Sequence, residues 1–325
     1  MKILPNPKMK SSMMFLTQNN YKVFGIGCIL IAQFLFSIQD MAIKLLSPKY
    51  PLHQIIFVES SVAFLLTSLV FVPLEGGLKN LITNRIGIHI IRGFGIVIVD
   101  VCFFTAMFSM PLSDVVTIFF VAPLFISLLS TIILREKVVT SNWIALIIGF
   151  LGVITMFRPG IAEFNPISLL PLIAAFSYAV VQILARELGE KEKASTMTFY
   201  VLLHLVFVSS LSGIILGNGV FYESTNPSIN FILRSWQTIS FFDNFLLIGI
   251  GIIYSFAAYL ISQAYRITKV GTIAPFEYFA VPLSVVWSVL IFNDIPDIFS
   301  WIGFILICSS GIFVLYNESV LRRKR

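Results

Sequence analysis

Long apolar runs alternate with short polar breaks along nearly the whole chain. Ten windows are dominated by apolar residues: 23–46, 55–74, 86–109, 114–134, 142–158, 166–186, 196–217, 242–266, 270–292 and 300–317. Each approaches or exceeds the roughly 20 residues that a helix needs to cross ~30 Å of hydrocarbon. The breaks carry turn chemistry, with SPKYP at 47–51, EGG at 75–77, MPLSD at 110–114 and RPG at 158–160. Only 218–241 reads as a long loop. The pattern predicts an all-α integral membrane protein with ten transmembrane helices.

Composition agrees: of 325 residues, 58% are hydrophobic and 12% charged. The net charge of +6 comes from residues in tails and loops rather than on one folded face, so membrane orientation explains it better than nucleic-acid binding does. Ten spans put both termini on one side. If that side is cytoplasmic, seventeen Lys and Arg lie inside against four outside (Lys44, Lys49, Arg158 and Arg234), as the positive-inside rule expects. Residues 1–22 form a basic cytoplasmic tail without the pattern of a cleaved signal, so the first span is retained. Residues 318–325 form a second basic tail. Cys28, Cys102 and Cys308 all fall in apolar segments without metal-ligand spacing and read as packing residues.

The chain also repeats. A shift of 158 residues pairs Ser130 with Ser288, Glu136 with Asp294 and Trp143 with Trp301, and one added residue brings Gly152 to Gly311. A weaker shift of 142 pairs Lys44 with Arg186 and Phe57 with Phe199. Repeats over 23–160 and 161–317 hold five spans each, an odd number, so the second must be inverted relative to the first. Inverted repeats are typical of secondary transporters, with the substrate site near mid-membrane between them.

An ionisable side chain facing lipid costs about 2.5–3.5 kcal/mol at a helix centre, so such groups normally face a partner or a wet cavity. Asp40 and Lys44 lie one helical turn apart and either pair or let Lys44 snorkel outward. Glu59 stands a few residues into the second window, at the interface or inside the bundle. Arg92 and Asp100 lie about two turns apart in the third. Asp100 either lines a central cavity or clamps a neighbouring helix. Pro275 frees a carbonyl near the start of the ninth window, beside Glu277 and Tyr278, and interrupted helices are where transporters expose backbone groups. Glu277 is a binding candidate or sits among headgroups. Gln182, Gln263, Tyr254 and Tyr259 offer hydrogen bonds to substrate or to neighbouring helices. Pro123 and Pro282 occupy matching places in windows four and nine and are hinges or fixed bends. His89 and His204 stand singly, and neither a metal nor a cofactor is expected.

Three stretches carry a family resemblance. The first hairpin has Phe36, Ser37, Asp40 and Lys44, followed by Tyr50, Pro51 and Gln54; residues 103–160 and 261–304, with APFEY at 274–278, follow. Together they resemble the EamA-like branch of the drug/metabolite transporter superfamily. One departure is Glu59, where similar carriers often have an Arg. The resemblance implies a secondary transporter moving a small polar metabolite, such as an amino acid or S-adenosylmethionine, across a bacterial inner membrane. The chain has no GxxxxGK[ST] loop to drive pumping with ATP, which leaves alternating access coupled to protons or a counter-substrate. Asp40, Asp100 and Glu277 are the proton candidates. The excess of buried acids over Arg92 favours amine-bearing substrates. The rival classes are a membrane-embedded enzyme, for which no HExxH or GxSxG is present, and a structural membrane scaffold.

Overall fold

A computed structural model describes residues 18–316, except 137, 158–165, 223–226, 294–297, 300, 304, 307, 308, 311, 314 and 315. Lys137, Arg158, Asp294, Cys308, Gly311 and the C-terminal tail therefore lie outside the described residues, as does most of the N-terminal tail. The described residues form helices and loops with no strand.

In chain order the helices are α1 (Gln18–Leu46), α2 (Leu52–Leu74), α3 (Ile86–Ser109), α4 (Leu112–Phe119), α5 (Ala122–Ile132), α6 (Thr140–Phe157), α7 (Leu169–Gly189), α8 (Ala194–Leu216), α9 (Pro227–Leu233), α10 (Phe241–Ile267) and α11 (Val270–Phe292). Seven of them, α1, α2, α3, α7, α8, α10 and α11, are long and apolar enough to cross a membrane, which makes this a multi-pass membrane protein. The fourth window is not one helix but the pair α4 and α5, broken just before Pro123. Part of α6 is a shorter apolar helix. Residues described at 301–303, 305–306, 309–310 and 312–313 are helical, in the tenth window. The segment 218–241 is not loop throughout, because α9 occupies its middle.

Prolines and caps explain the irregularities. Pro123 falls in the first turn of α5, where its missing N–H costs nothing. Pro275 opens a 3₁₀ stretch, Ala274–Phe279, inside α11. A proline there leaves the carbonyl four residues earlier without its helical donor. That carbonyl belongs to Gly271, and Asn142 Nδ2 donates to it at 2.5 Å. Pro282 stands just after the same stretch. Asn293, at φ 56°, ends α11 in the left-handed conformation that Asn tolerates. Inside α2, Thr67–Phe71 winds as a wide π turn, and Thr67 Oγ1 bonds Ser255 Oγ of α10 at 2.7 Å.

The most extensive packing pairs α1 with α10 and α3 with α7; α2 lies against both α8 and α10, and α8 against α3. Gly251 permits one of these approaches: a Cβ there would sit 2.7 Å from the Glu59 carbonyl oxygen and from Val62 Cβ. Exposed Leu, Ile and Phe cover the outside, as on a surface solvated by lipid rather than water.

Loops lock together at both ends. At one end, rich in Lys and Arg, Glu136 Oε1 accepts from Arg186 Nε (2.9 Å) while its Oε2 accepts from the Val270 N–H (3.0 Å). Arg186 also donates to the Arg266 carbonyl, and Arg266 to that of Glu192. Glu75 accepts from the Ser195 N–H at 2.8 Å and from Tyr259 at 3.2 Å. At the opposite end Lys49 and Tyr50 bond Asp243, Gln54 exchanges two bonds with the Gln237 backbone, and Arg234 donates to the Pro48 carbonyl.

Candidate functional site

Between these ends lies an internal cavity of about 120 Å³, walled by α1, α3, α4, α7, α8, α10 and α11. By the same measure one water needs ~10–15 Å³. Its polar lining includes Asp40, Arg92, Asp100, Gln182 and Tyr254, five of the residues singled out in the sequence. It also includes Gln33, Gln39, Tyr178, Thr198 and Ser262, which sequence reasoning missed. Rings of Phe36, Phe103, Phe104, Phe119 and Phe120 fill much of the remaining wall.

Arg92 is 3% exposed and donates to the Met197 carbonyl at 2.8 Å and to Ser262 Oγ at 3.1 Å. Asp40 and Asp100 retain partial exposure, which the cavity they line accounts for, and among the described residues neither carboxylate receives a hydrogen bond. Three further polar atoms of the lining, Gln39 Oε1, Arg92 Nε and Gln182 Oε1, are buried without a partner among the described residues. Buried polar atoms left unpaired are rare and costly, and water or a polar group in the cavity could satisfy these three.

Two more acids stand one side chain behind the wall. Glu59 is 2% exposed and accepts from Gln39 Nε2, so it lies inside the bundle rather than at the interface. Glu277 is 1% exposed and accepts from Tyr178 (3.3 Å) and from Tyr265, which takes it out of the headgroup zone as well. Tyr278, beside it, donates to the Leu146 carbonyl at 3.2 Å and packs against Gly149, outside the cavity lining. Gln263 accepts from Arg266 at 3.2 Å near the basic end and does not line the cavity. Pro123, Pro275 and Pro282 do not line it either; each marks a helix interruption next to it. The contacts described for Lys44 run to the Met107 and Met110 carbonyls, at 3.0 and 2.8 Å, where it caps the end of α3. That cap, rather than Asp40, takes the Lys44 ammonium.

The single histidines have local partners. His204 bonds the Tyr200 carbonyl one turn earlier, and His89 Nε2 meets Glu192 Oε2 at 2.5 Å. Burial raises the Glu192 carboxyl, but hydrogen bonds from His89 and Thr83 and the nearby Arg85 charge outweigh it and hold Glu192 below the usual range. A carboxyl lowered on folding adds stability that is complete above its unfolded value and is lost as pH falls through the folded one. Thermal unfolding in detergent should therefore show wild type losing about 1 kcal/mol more than Glu192→Gln between pH 7 and pH values below that folded value. Parallel pH curves for the two proteins would refute the contribution.

Comparison with known proteins places this geometry. An S-adenosylmethionine uptake transporter of Rickettsia prowazekii is 26% identical over 296 residues, covering 90% of this chain and 93% of that one. A riboflavin transporter of Vibrio cholerae is 28% identical over 76% of this chain and 77% of its own, and a pseudopaline exporter of Pseudomonas aeruginosa is 23% identical over 87% and 93%. A solved crystal structure shares the fold with a TM-score of 0.68, covering 92% of this chain and 98% of that one at 16% identity. The model of the EamA-like transporter family matches residues 23–158 and again 165–316. On a match that spans most of its length, this chain belongs to the EamA-like transporter family.

Proposed function

We propose that the protein is a secondary carrier for an amine-bearing metabolite with an aromatic ring, bound in the central cavity and moved by alternating access. The observation that carries this reading is the pair of carboxylates, Asp40 and Asp100, facing one cavity without hydrogen-bond donors among the described residues. A cationic amine supplies those donors, and charge-assisted bonds are the strong ones. Arg92 offers its free Nε to a carboxylate on the same molecule, and the phenylalanine wall suits a flat ring. S-adenosylmethionine, named for the Rickettsia relatives, combines all three features. Riboflavin, named for others, has the ring without the amine.

The architecture proposed is ten spans in two inverted five-helix repeats, 23–160 and 161–317. Support comes from the packing: exchanging each span for its counterpart five later turns α1·α10 into α7·α3, the two most extensive pairs. The Lys and Arg excess favours a bacterial inner membrane with the basic end and both termini cytoplasmic. Coupling to protons or to a counter-substrate completes the proposal.

Thermal stabilisation of the purified protein tests the substrate class. Binding at 100 times Kd adds about 2.7 kcal/mol. S-adenosylmethionine and amino acids with a free amine should raise the unfolding midpoint, and N-acetylated analogues should not. Equal stabilisation by both, or stabilisation by riboflavin alone, would overturn the amine reading.

A further inference from the structure

A second, smaller cavity of about 60 Å³ lies between α2, α3, α8 and α9, toward the end that carries Lys49 and Arg234. Asp100 belongs to the walls of both cavities. The polar part of the smaller lining is His53, Asp100, Ser209 and Ser212, and the rest is aliphatic. His53 is 5% exposed, in the first turn of α2. Its Nδ1 lies 3.2 Å from the Ile232 carbonyl oxygen of α9. A carbonyl only accepts, so Nδ1 carries the hydrogen and Nε2 of the neutral ring is a bare acceptor. That Nε2 is buried and has no partner among the described residues. The Trp236 ring lies beside the imidazole, with 6.2 Å between centroids and 28° between planes.

We infer that the smaller cavity is a water-filled vestibule through which His53 passes protons from that end of the bundle to Asp100. Its volume exceeds what one water needs several times over, and its polar groups suffice to bond more than one. His53 and Asp100 are the titratable groups in its wall; α8 contributes two serines, one of them Ser209, whose hydroxyl donates to the Leu205 carbonyl. Behind Asp100 stand Asp40 on α1, Glu59 on α2 and Tyr254 on α10, all within electrostatic reach, and Arg92 two turns away on α3.

The step balances simply. A hydrated proton binds Nε2, giving imidazolium with Nδ1–H still on Ile232. The same Nε2 releases its proton through water to a carboxylate oxygen of Asp100, and the ring returns to its starting tautomer. Asp100 becomes a neutral acid and loses its hold on a cationic substrate in the neighbouring cavity. The inference rests on the carrier reading for its purpose, but its route is testable without any substrate.

Two measurements decide it. First, Ser212→Cys is made in a chain whose native cysteines are replaced by serine, and a membrane-impermeant methanethiosulfonate is applied from each side. Labelling is expected from the Lys49 end only. Second, the infrared band of a protonated carboxyl that Asp100→Asn removes is followed after a downward pH jump. His53→Gln should slow its appearance by about 100-fold, the scale of a positioned proton donor, without lowering the unfolding midpoint. Absence of labelling, or an unchanged rate in His53→Gln, would overturn the vestibule. If both succeed while proteoliposomes accumulate no S-adenosylmethionine, the relay stands and the substrate reading fails.

Discussion

Replacing Asp100 with asparagine is expected to weaken binding and uptake of S-adenosylmethionine by about 10- to 100-fold, the worth of one buried charge-assisted hydrogen bond. The amide is nearly isosteric, and the carboxylate it replaces receives no bond from the described residues, so folding loses nothing. The unfolding midpoint of the ligand-free protein should hold or rise, since an unpaired charge leaves a buried site. Asp40→Asn should act in the same direction. Glu190→Gln, exposed at the basic end, serves as the control with normal uptake. Radiolabelled uptake in proteoliposomes, beside melting curves of the same preparations, separates loss of binding from loss of fold. Normal uptake by the double variant Asp40→Asn/Asp100→Asn would remove the cavity from the transport path.

Glu136→Ala should have the largest effect on conformation. One carboxylate holds Arg186 on α7 and the first N–H of α11 at once, so its removal leaves the helix start without its acceptor and the guanidinium with only the Arg266 carbonyl among the described residues. Both side chains keep some exposure, 20% for Arg186 and 15% for Glu136, so the loss is nearer 1–3 kcal/mol than the 3–5 of a fully buried pair. A double-mutant cycle with Arg186→Gln should return a coupling of about 0.5–3 kcal/mol in thermal unfolding. The same variant should open the basic end, read as faster labelling of a cysteine at Gln182 from that side. A coupling near zero with unchanged labelling would show that the contact is ornamental to the closed state.

Much of this was legible in the chain because lipid imposes simple rules. Apolar length marked the windows 23–46, 55–74, 86–109, 166–186, 196–217, 242–266 and 270–292, where the long apolar helices lie, and Asp40, Arg92, Asp100, Gln182 and Tyr254 stood out because polar groups are expensive there. Distance along the chain, however, says nothing about rotation around a helix. Glu59 and Glu277 proved to stand behind the wall, each reaching it through a lining residue, Gln39 or Tyr178. Gln263 turned to Arg266, one turn on in its own helix, and Tyr278 to the Leu146 carbonyl of α6. Gln33 and Asp40, seven residues apart on α1, share a face, and that spacing was a readable signal for Gln33. His53 escaped notice because it sits next to the loop, where a polar residue costs little; only its tautomer and its neighbour across the smaller cavity single it out. The break between α4 and α5 and the helix α9 depend on packing that periodicity does not record.

The π turn of Thr67–Phe71 has a geometric corollary. One surplus residue advances the remainder of α2 by about 100° around its axis. Glu59 precedes that turn and Glu75 follows it, so the two acids are clocked separately, one to Gln39 and the other to Ser195 and Tyr259. Spacing in the chain, as much as side-chain identity, decides whether a single helix can address the chamber and the clasp at its basic mouth together.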